Sequence, residues 1–124
     1  AKKHGSFKKS MNYILKKMKK KKDRSAIFVC SLTIKKTNGS FLTSSGKLKG
    51  KISYQIKGKK GFGYDPIFIP NGKKTTFGQM QKKKKILMDN RFLAFKNLKK
   101  KIIKFKISCL RLYKYLILEL FLYW

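Results

Sequence analysis

The sequence predicts an α/β fold, with α+β as the alternative, from three observations. Apolar residues recur at helical spacing between Phe7 and Met18, with lysines on the opposite face. A run rich in β-branched and aromatic residues spans 26–34, and a hairpin-forming dipeptide follows it. A second helical pattern spans about 90–103. A chain of 124 residues, 42% of them apolar, can build one domain with a modest core.

The first helix is predicted to run from Ser6, a favourable N-cap residue, to about Lys20. Its apolar stripe consists of Phe7, Met11, Ile14, Leu15 and Met18. A basic amphipathic helix can bind a membrane or a nucleic acid, but a helix packed on a sheet explains the stripe as well. We favour packing.

The strand from Ala26 to Ile34 is nearly continuous in apolar character, which predicts a central strand buried on both faces. The dipeptide Asn38-Gly39 then predicts a type I′ turn, which requires positive φ at both central residues. Phe41 would begin the returning strand. The sequence therefore predicts an antiparallel hairpin in the first half of the chain.

Less regular segments follow the hairpin. Gly46 and Gly50 suggest a bend or bulge before a further strand at 51–56. A glycine-rich loop is predicted from Gly58 to Pro66. Asp89 then resembles an N-cap, and the residues after it predict a closing helix from about Asn90 to Ile103.

The charge of the chain is strongly unbalanced, with 34 basic against 4 acidic residues and a formal net charge of +30. One interpretation is a polyanionic partner, and the other is a lysine-biased, solvated surface. Only three of the basic residues are arginines, which bind phosphates and base edges bidentately, and the lysines are spread along the chain. We therefore favour the second interpretation.

The acidic residues are scattered singly along the chain: Asp23, Asp65, Asp89 and Glu119. A catalytic Mg²⁺ is normally held by one or more carboxylates together with substrate phosphates and water. No paired-carboxylate motif is present. We accordingly assign neither a catalytic residue nor a metal ligand within this chain.

The most specific segment runs from Gly58 to Phe68 and reads Gly-Lys-Lys-Gly-Phe-Gly-Tyr-Asp-Pro-Ile-Phe. Its glycines permit tight turns and close approach of a ligand to the main chain. Phe62 and Tyr64 offer flat apolar faces on which a nucleobase can stack. The same run is also compatible with a structural turn between strands. It matches neither the dinucleotide-binding G-x-G-x-x-G pattern nor a P-loop.

This run and its flanks resemble the inosine triphosphate pyrophosphatase family (XTP/dITP diphosphatases). The order and spacing of a strand, spaced glycines, the G-F-G-Y-D-P run, Lys85 and Arg91 follow the family pattern over roughly residues 1–103. The chain departs from that pattern at Gln79, where the family has an acid. It departs again at Asp89-Asn90, where the family has Ser-His before the arginine.

The resemblance implies an ITPase-like mixed sheet with flanking helices, here incomplete. Residues 1–106 would form the C-terminal part of that domain, and the apolar tail 107–124 has no evident family role. The family's phosphate-binding loop and acidic, Mg²⁺-holding residues precede the position of Ala1. The catalytic residues and the Mg²⁺ ligands are therefore expected in a missing N-terminal half, and this chain alone is expected to be inactive.

The resemblance also implies that the complete protein hydrolyses non-standard purine nucleoside triphosphates (ITP, dITP and XTP) to monophosphate and pyrophosphate. The implied substrate-binding residues are Phe62, Gly63, Tyr64, Asp65, Lys85, Asn90 and Arg91. Phe62 would stack on the base, Asp65 would accept from a ring N–H, and Arg91 with Asn90 would address the base edge. Gly63 and Tyr64 would shape the pocket, and Lys85 would donate to the base or a phosphate.

The complete protein is expected to be a cytoplasmic homodimer with neither a specific nucleic-acid partner nor a membrane partner. The competing function is a non-enzymatic, basic nucleic-acid-binding module. That alternative explains the charge and the neighbouring aromatic residues. It does not explain why the G-F-G-Y-D-P run, Lys85 and Arg91 occur at the family's spacing.

Overall fold

The computed structural model of the chain describes residues 5–105, with side chains to residue 103. The elements are α1 (Phe7–Lys17), β1 (Ser25–Lys35), β2 (Phe41–Ile52), a 3₁₀ turn (Asp65–Ile67), β3 (Phe68–Pro70), α2 (Lys82–Ile86) and α3 (Asn90–Phe105). The predicted α/β class is confirmed, and α2 is an addition to the predicted elements. The predicted tail 107–124 lies outside the described residues.

The described strands form a three-stranded antiparallel sheet in the order β1-β2-β3. β1 and β2 pair along their whole length, from Ser25 opposite Lys51 to Lys35 opposite Phe41. β3 pairs with the last residues of β2, where Ile52 lies opposite Phe68. In the described part of the chain, β2 is thus the central strand and β1 lies at the edge.

The prediction that β1 is buried on both faces is wrong. Exposed and partly buried residues alternate strictly along the strand, as expected for a sheet covered on one face. On the open face, Ile27 and Val29 are 54% and 57% exposed. Their cross-strand partners on that face are Lys49 and Lys47 of β2. Apolar run length misled the prediction because β-branched residues favour strands whether or not both faces are covered.

The predicted hairpin is confirmed, but its turn is not type I′. Gly39 has φ +80°, and none of the positive-φ residues in the described chain is other than glycine, so Asn38 has negative φ. The Gly39 N–H donates to the Lys36 carbonyl, and the Lys36 N–H donates to the Ser40 carbonyl, which closes a five-residue loop. The Asn38 carboxamide oxygen accepts from both the N–H and the hydroxyl of Ser40, so it stabilises this longer loop.

The expected bend at Gly46 and Gly50 is absent, since β2 continues without a bulge to Ile52. The separate strand predicted at 51–56 is accordingly wrong as well. Gly46 instead allows close packing: a Cβ at this position would overlap the Asn90 carbonyl oxygen and the Ala94 nitrogen. The backbone of α3 therefore lies directly on β2.

The closing helix is confirmed, with Asp89 as its N-cap. The Phe92 N–H donates to Asp89 Oδ1 at 2.8 Å. Ala94 and Leu98 are buried, and Asn97 Nδ2 reaches over the strand to a β2 carbonyl oxygen. In residues 5–105, every helix is too short or too polar to cross a membrane.

The predicted N-cap of α1 is also confirmed, because the Lys9 N–H donates to Ser6 Oγ at 3.2 Å. The helix ends at Lys17, three residues before the predicted end at Lys20. The ring of Phe7 lies edge-on against Tyr64, with the centroids 5.7 Å apart. The apolar stripe therefore contacts the loop that carries the G-F-G-Y-D-P run.

Arg24 joins the end of α1 to the end of β2. Its guanidinium donates to the carbonyl oxygens of Met18, Ile52 and Ser53 at 2.7–2.8 Å, and the residue is 7% exposed. A planar group with several fixed donors suits three convergent carbonyls, which a lysine could not satisfy in the same way.

The core beneath the G-F-G-Y-D-P run is aromatic. Phe68 of β3 stacks on Phe28 of β1 with the ring centroids 3.8 Å apart, and Phe77 lies 5.6 Å from Phe68. Phe68 and Phe77 are fully buried. Their rings anchor the segment that follows the 3₁₀ turn against β1, which helps to fix the loop above them.

Gly46→Ala is expected to destabilise the fold, because the added methyl group must displace the α3 backbone. Overpacking of this kind costs about 1–3 kcal/mol in the free energy of unfolding. Ser45→Ala, on the exposed face of the same strand, is the matched control and is expected to stay within about 0.5 kcal/mol of wild type. Urea unfolding followed by circular dichroism measures both, and equal midpoints for the two variants would contradict the close contact.

Candidate functional site

The loop between Gly58 and Pro66 folds back on itself. Gly58, Gly61 and Gly63 all have positive φ, between +61° and +82°. At Gly61 a Cβ would also overlap the carboxylate of Asp65, so only glycine permits this approach. The sequence thus folds locally around one acidic side chain.

Asp65 forms the central polar contact of this loop. Its Oδ2 accepts from Lys85 Nζ at 2.6 Å and from the Phe62 N–H at 2.7 Å. The Asp65 and Lys85 side chains are only 3% and 9% exposed. Because Lys85 belongs to α2, this buried ion pair connects the loop to the second half of the chain.

Phe62 projects from the loop and remains 57% exposed. The Arg91 guanidinium carbon lies 4.2 Å from its ring centroid, and Lys85 Nζ lies 4.7 Å from it. Cations attract the negative face of an aromatic ring, so both contacts hold the ring in place. The large exposed part of the ring remains accessible to a planar ligand.

Asp89 lies at the start of α3 and is 3% exposed. One carboxylate oxygen caps the helix, and Oδ2 accepts from Arg91 NH2 at 3.3 Å. The cap position therefore also contributes a carboxylate to the region around Phe62.

A cavity of about 470 Å³ lies between the loop and the two C-terminal helices. Its volume is in the range of small-molecule sites. The lining residues are Lys60, Gly61, Phe62, Met80, Lys82, Lys85, Ile86, Asp89 and Arg91.

Three of the seven predicted substrate-binding residues line this cavity, namely Phe62, Lys85 and Arg91. Asp65 lies behind the wall, where its Oδ2 already accepts two hydrogen bonds. The structure therefore brings together the stacking residue and both cationic donors. It does not expose the carboxylate to which we assigned a ring N–H.

Gly63, Tyr64 and Asn90 are not among the cavity-lining residues. Tyr64 and Gly63 lie against Phe7 of α1, on the other side of the loop. The Asn90 carbonyl oxygen lies over Gly46 of β2. The direct roles that the resemblance implies for these three residues remain predictions.

The sequence analysis missed Asp89 as a cavity residue, together with Lys60 and Lys82. The lysines could not be distinguished within runs such as 82–85. Asp89 was interpreted only as a helix cap, although it is one of four acidic residues and lies two positions before Arg91. The small number of acidic residues in the chain was the available indication that Asp89 could have a second role.

The described residues do not suit a magnesium ion. No group of three or more His, Cys, Asp or Glu side chains converges anywhere in residues 5–105. The carboxylates of Asp65 and Asp89 are paired with Lys85 and Arg91, respectively. Asp23 is exposed in the turn before β1, where hydrogen bonds from the Ser25 side chain and N–H hold the pKa of this carboxyl below its usual value.

A second cavity, of about 540 Å³, lies at the C-terminal end of α1. It is lined by Tyr13 and four lysines and contains none of the predicted residues. Its lining residues include no carboxylate, cysteine or histidine, so we assign no chemistry to this cavity.

Curated relatives of this chain include proteins named dITP/XTP pyrophosphatase. The chain is 47% identical over 83 residues to the dITP/XTP pyrophosphatase of Saccharolobus solfataricus, a match covering 66% of this chain and 42% of that protein. It is 41% identical over 97 residues to the dITP/XTP pyrophosphatase of Dictyoglomus thermophilum, covering 75% and 47%. The chain spans about half the length of the curated relatives that it matches.

The fold is also similar to solved structures of Ham1 proteins. The Staphylococcus aureus Ham1 protein superposes with a TM-score of 0.76 at 29% identity, over 82% of this chain and 53% of that one. A HAM1 protein from Coxiella burnetii superposes with a TM-score of 0.73 at 26% identity, over 82% and 54%.

A sequence model of the Ham1 family matches residues 1–101. That match covers most of the chain, including the loop around Asp65, the cavity wall and the first turns of α3. It agrees with the relatives named dITP/XTP pyrophosphatase and so confirms the resemblance found from the G-F-G-Y-D-P run. The chain belongs to the Ham1 family.

Proposed function

We propose that this chain supplies the base-recognising part of a pyrophosphatase that hydrolyses non-standard purine nucleoside triphosphates (ITP, dITP and XTP). The products would be a nucleoside monophosphate and pyrophosphate. One observation carries the proposal: an exposed ring, Phe62, shares a cavity wall with the cationic donors Arg91 and Lys85. Membership of the Ham1 family and the names of the relatives support the choice of substrate.

Base discrimination would rest on the edge of the purine. A base stacked on the exposed part of Phe62 would lie beside the Arg91 guanidinium, which can only donate hydrogen bonds. Hypoxanthine and xanthine present a 6-oxo acceptor to such a donor, whereas adenine presents a 6-amino donor. The mismatch would leave two buried donors facing each other without an acceptor, which opposes binding.

The hydrolytic step would need groups other than those described. Water must attack between the α and β phosphates, and Mg²⁺ with its carboxylates would supply the charge stabilisation for that step. Because residues 5–105 contain no suitable carboxylate cluster, we propose that the ligands lie elsewhere in the complete protein. Its cytoplasmic location and homodimeric state also remain predictions from the family resemblance.

The alternative function, a non-enzymatic nucleic-acid-binding module, is less well supported. It would account for the net charge of +30. It would not account for the buried Asp65–Lys85 pair beneath an exposed ring, or for relatives named pyrophosphatases.

The 124-residue chain by itself is expected to release no pyrophosphate from ITP in the presence of Mg²⁺. Base binding cannot replace stabilisation of the transition state by metal and activated water. A pyrophosphate-release assay measures this, with the Saccharolobus solfataricus dITP/XTP pyrophosphatase as positive control. Turnover that disappears in Asp65→Asn or Asp89→Asn would contradict the proposed division of roles.

Phe62→Ala is expected to weaken inosine binding about 5- to 150-fold, because stacking on an aromatic ring contributes about 1–3 kcal/mol per base. Inosine is a suitable probe since it carries no phosphate and so avoids non-specific attraction to the positive chain. Phe41→Ala is the matched control: Phe41 is 66% exposed and does not line the cavity. Calorimetric titration gives both affinities, and equal losses in the two variants would argue against stacking on Phe62.

A further inference from the structure

Only three carboxylates occur in the described part of the chain, and just one of them lines the cavity. Asp23 is exposed and accepts from the Ser25 N–H. Asp65 is buried, and its Oδ2 accepts two short hydrogen bonds, at 2.6 and 2.7 Å. Asp89 lies in the cavity wall. Asp89, which is 3% exposed, is therefore the one described acidic residue that borders this cavity.

Asp89 and Arg91 place an acceptor and a donor side by side. Asp89 Oδ2 and Arg91 NH2 are 3.3 Å apart, and both residues line the cavity near Phe62. Charge-assisted hydrogen bonds are usually 2.7–2.9 Å long, so this contact is a weak one. A carboxylate oxygen also has more than one lone pair, so Oδ2 can accept from a ligand as well.

The Watson–Crick edge of a 6-oxo purine has the complementary pattern. The O6 atom accepts, and the neighbouring N1–H donates. Adenine has the reverse pattern, a 6-amino donor beside an N1 acceptor. With the base in the orientation that places O6 against the protein donor, an adjacent acceptor and donor would thus pair with the first edge twice and with the second edge not at all.

We propose that Asp89 accepts the N1–H of a 6-oxo purine while Arg91 donates to O6, so that Asp89 is a specificity-determining residue. In this assignment Asp65 is a positioning residue, which holds Phe62 and Lys85 in place without contacting the base. The proposal rests on the proposed function, since it assumes a purine stacked at Phe62. It assigns to this chain's Asp89 a contact that the sequence analysis had given to Asp65.

The test measures binding of inosine, adenosine and 1-methylinosine to the 124-residue chain by calorimetric titration. Wild type is expected to bind inosine at least about tenfold more tightly than adenosine, because hydrogen bonds to charged groups contribute about 1.5–3 kcal/mol. 1-Methylinosine, which keeps O6 but lacks the N1–H, is expected to bind at least about tenfold more weakly than inosine.

Two variants remove the carboxylate but keep one side-chain oxygen for the helix cap, because Asn and Ser are both favourable N-cap residues. Asp89→Asn replaces one carboxylate oxygen with a donor, and the preference for inosine over adenosine is expected to fall to within about threefold. Asp89→Ser shortens the side chain, and the preference for inosine over 1-methylinosine is expected to fall similarly. Asp23→Asn is the matched control and should leave both ratios unchanged.

The outcomes separate this proposal from the proposed function. Circular dichroism first establishes that each variant has the wild-type spectrum and unfolding midpoint. If wild type binds inosine in a Phe62-dependent manner but both Asp89 variants keep the wild-type ratios, the Asp89 assignment is overturned and the proposed function stands. If wild type binds no inosine, both are overturned.

Discussion

The buried ion pair between Asp65 and Lys85 is the interaction on which the site depends. It lies in a chain with a formal net charge of +30, where a carboxylate is rare and a lysine is not. Taking both charges out of water is costly, and the cost is offset by their 2.6 Å contact and by the Phe62 N–H. Loss of the carboxylate would leave a buried, unpaired ammonium group and a loop without its internal acceptor, so the loop and α2 depend on the same atom.

The position of the opposite wall depends on a different constraint. Gly46 allows the backbone of α3 to lie directly on β2, and this contact sets the distance between the first turn of the helix and the sheet. Asp89 and Arg91 lie at the start of α3, so the position of the helix on the sheet determines where the Arg91 guanidinium contacts Phe62 and where Asp89 contacts Arg91. The sheet contributes no residue to the cavity wall, but it positions Arg91 and Asp89 through its contact with α3.

The many lysines can attract a polyphosphate, but other residues are needed to distinguish one base from another. Lysines surround the cavity and cover much of the surface, which favours any polyphosphate but cannot distinguish one base from another. Discrimination between bases requires groups that are held in place and shielded from water. The candidates are the Phe62 ring, the Arg91 guanidinium and the carboxylate of Asp89, a residue that is 3% exposed. These groups support the proposal that the described residues recognise a base, and two of the three described carboxylates, Asp65 and Asp89, are paired with Lys85 and Arg91.

The sequence by itself determined the elements whose cause is local. Both long helices, their caps at Ser6 and Asp89, and the hairpin follow from spacings of a few residues, and the G-F-G-Y-D-P run identified the family. The tertiary structure decided which faces are covered, how the hairpin loop closes, and which carboxylate reaches the cavity. Burial and hydrogen-bond partners depend on segments distant in sequence: Lys85 lies twenty positions from Asp65, and α3 lies on Gly46 across more than forty. No local sequence pattern encodes these contacts, so the different surroundings of Asp65 and Asp89 could be distinguished only in the folded chain.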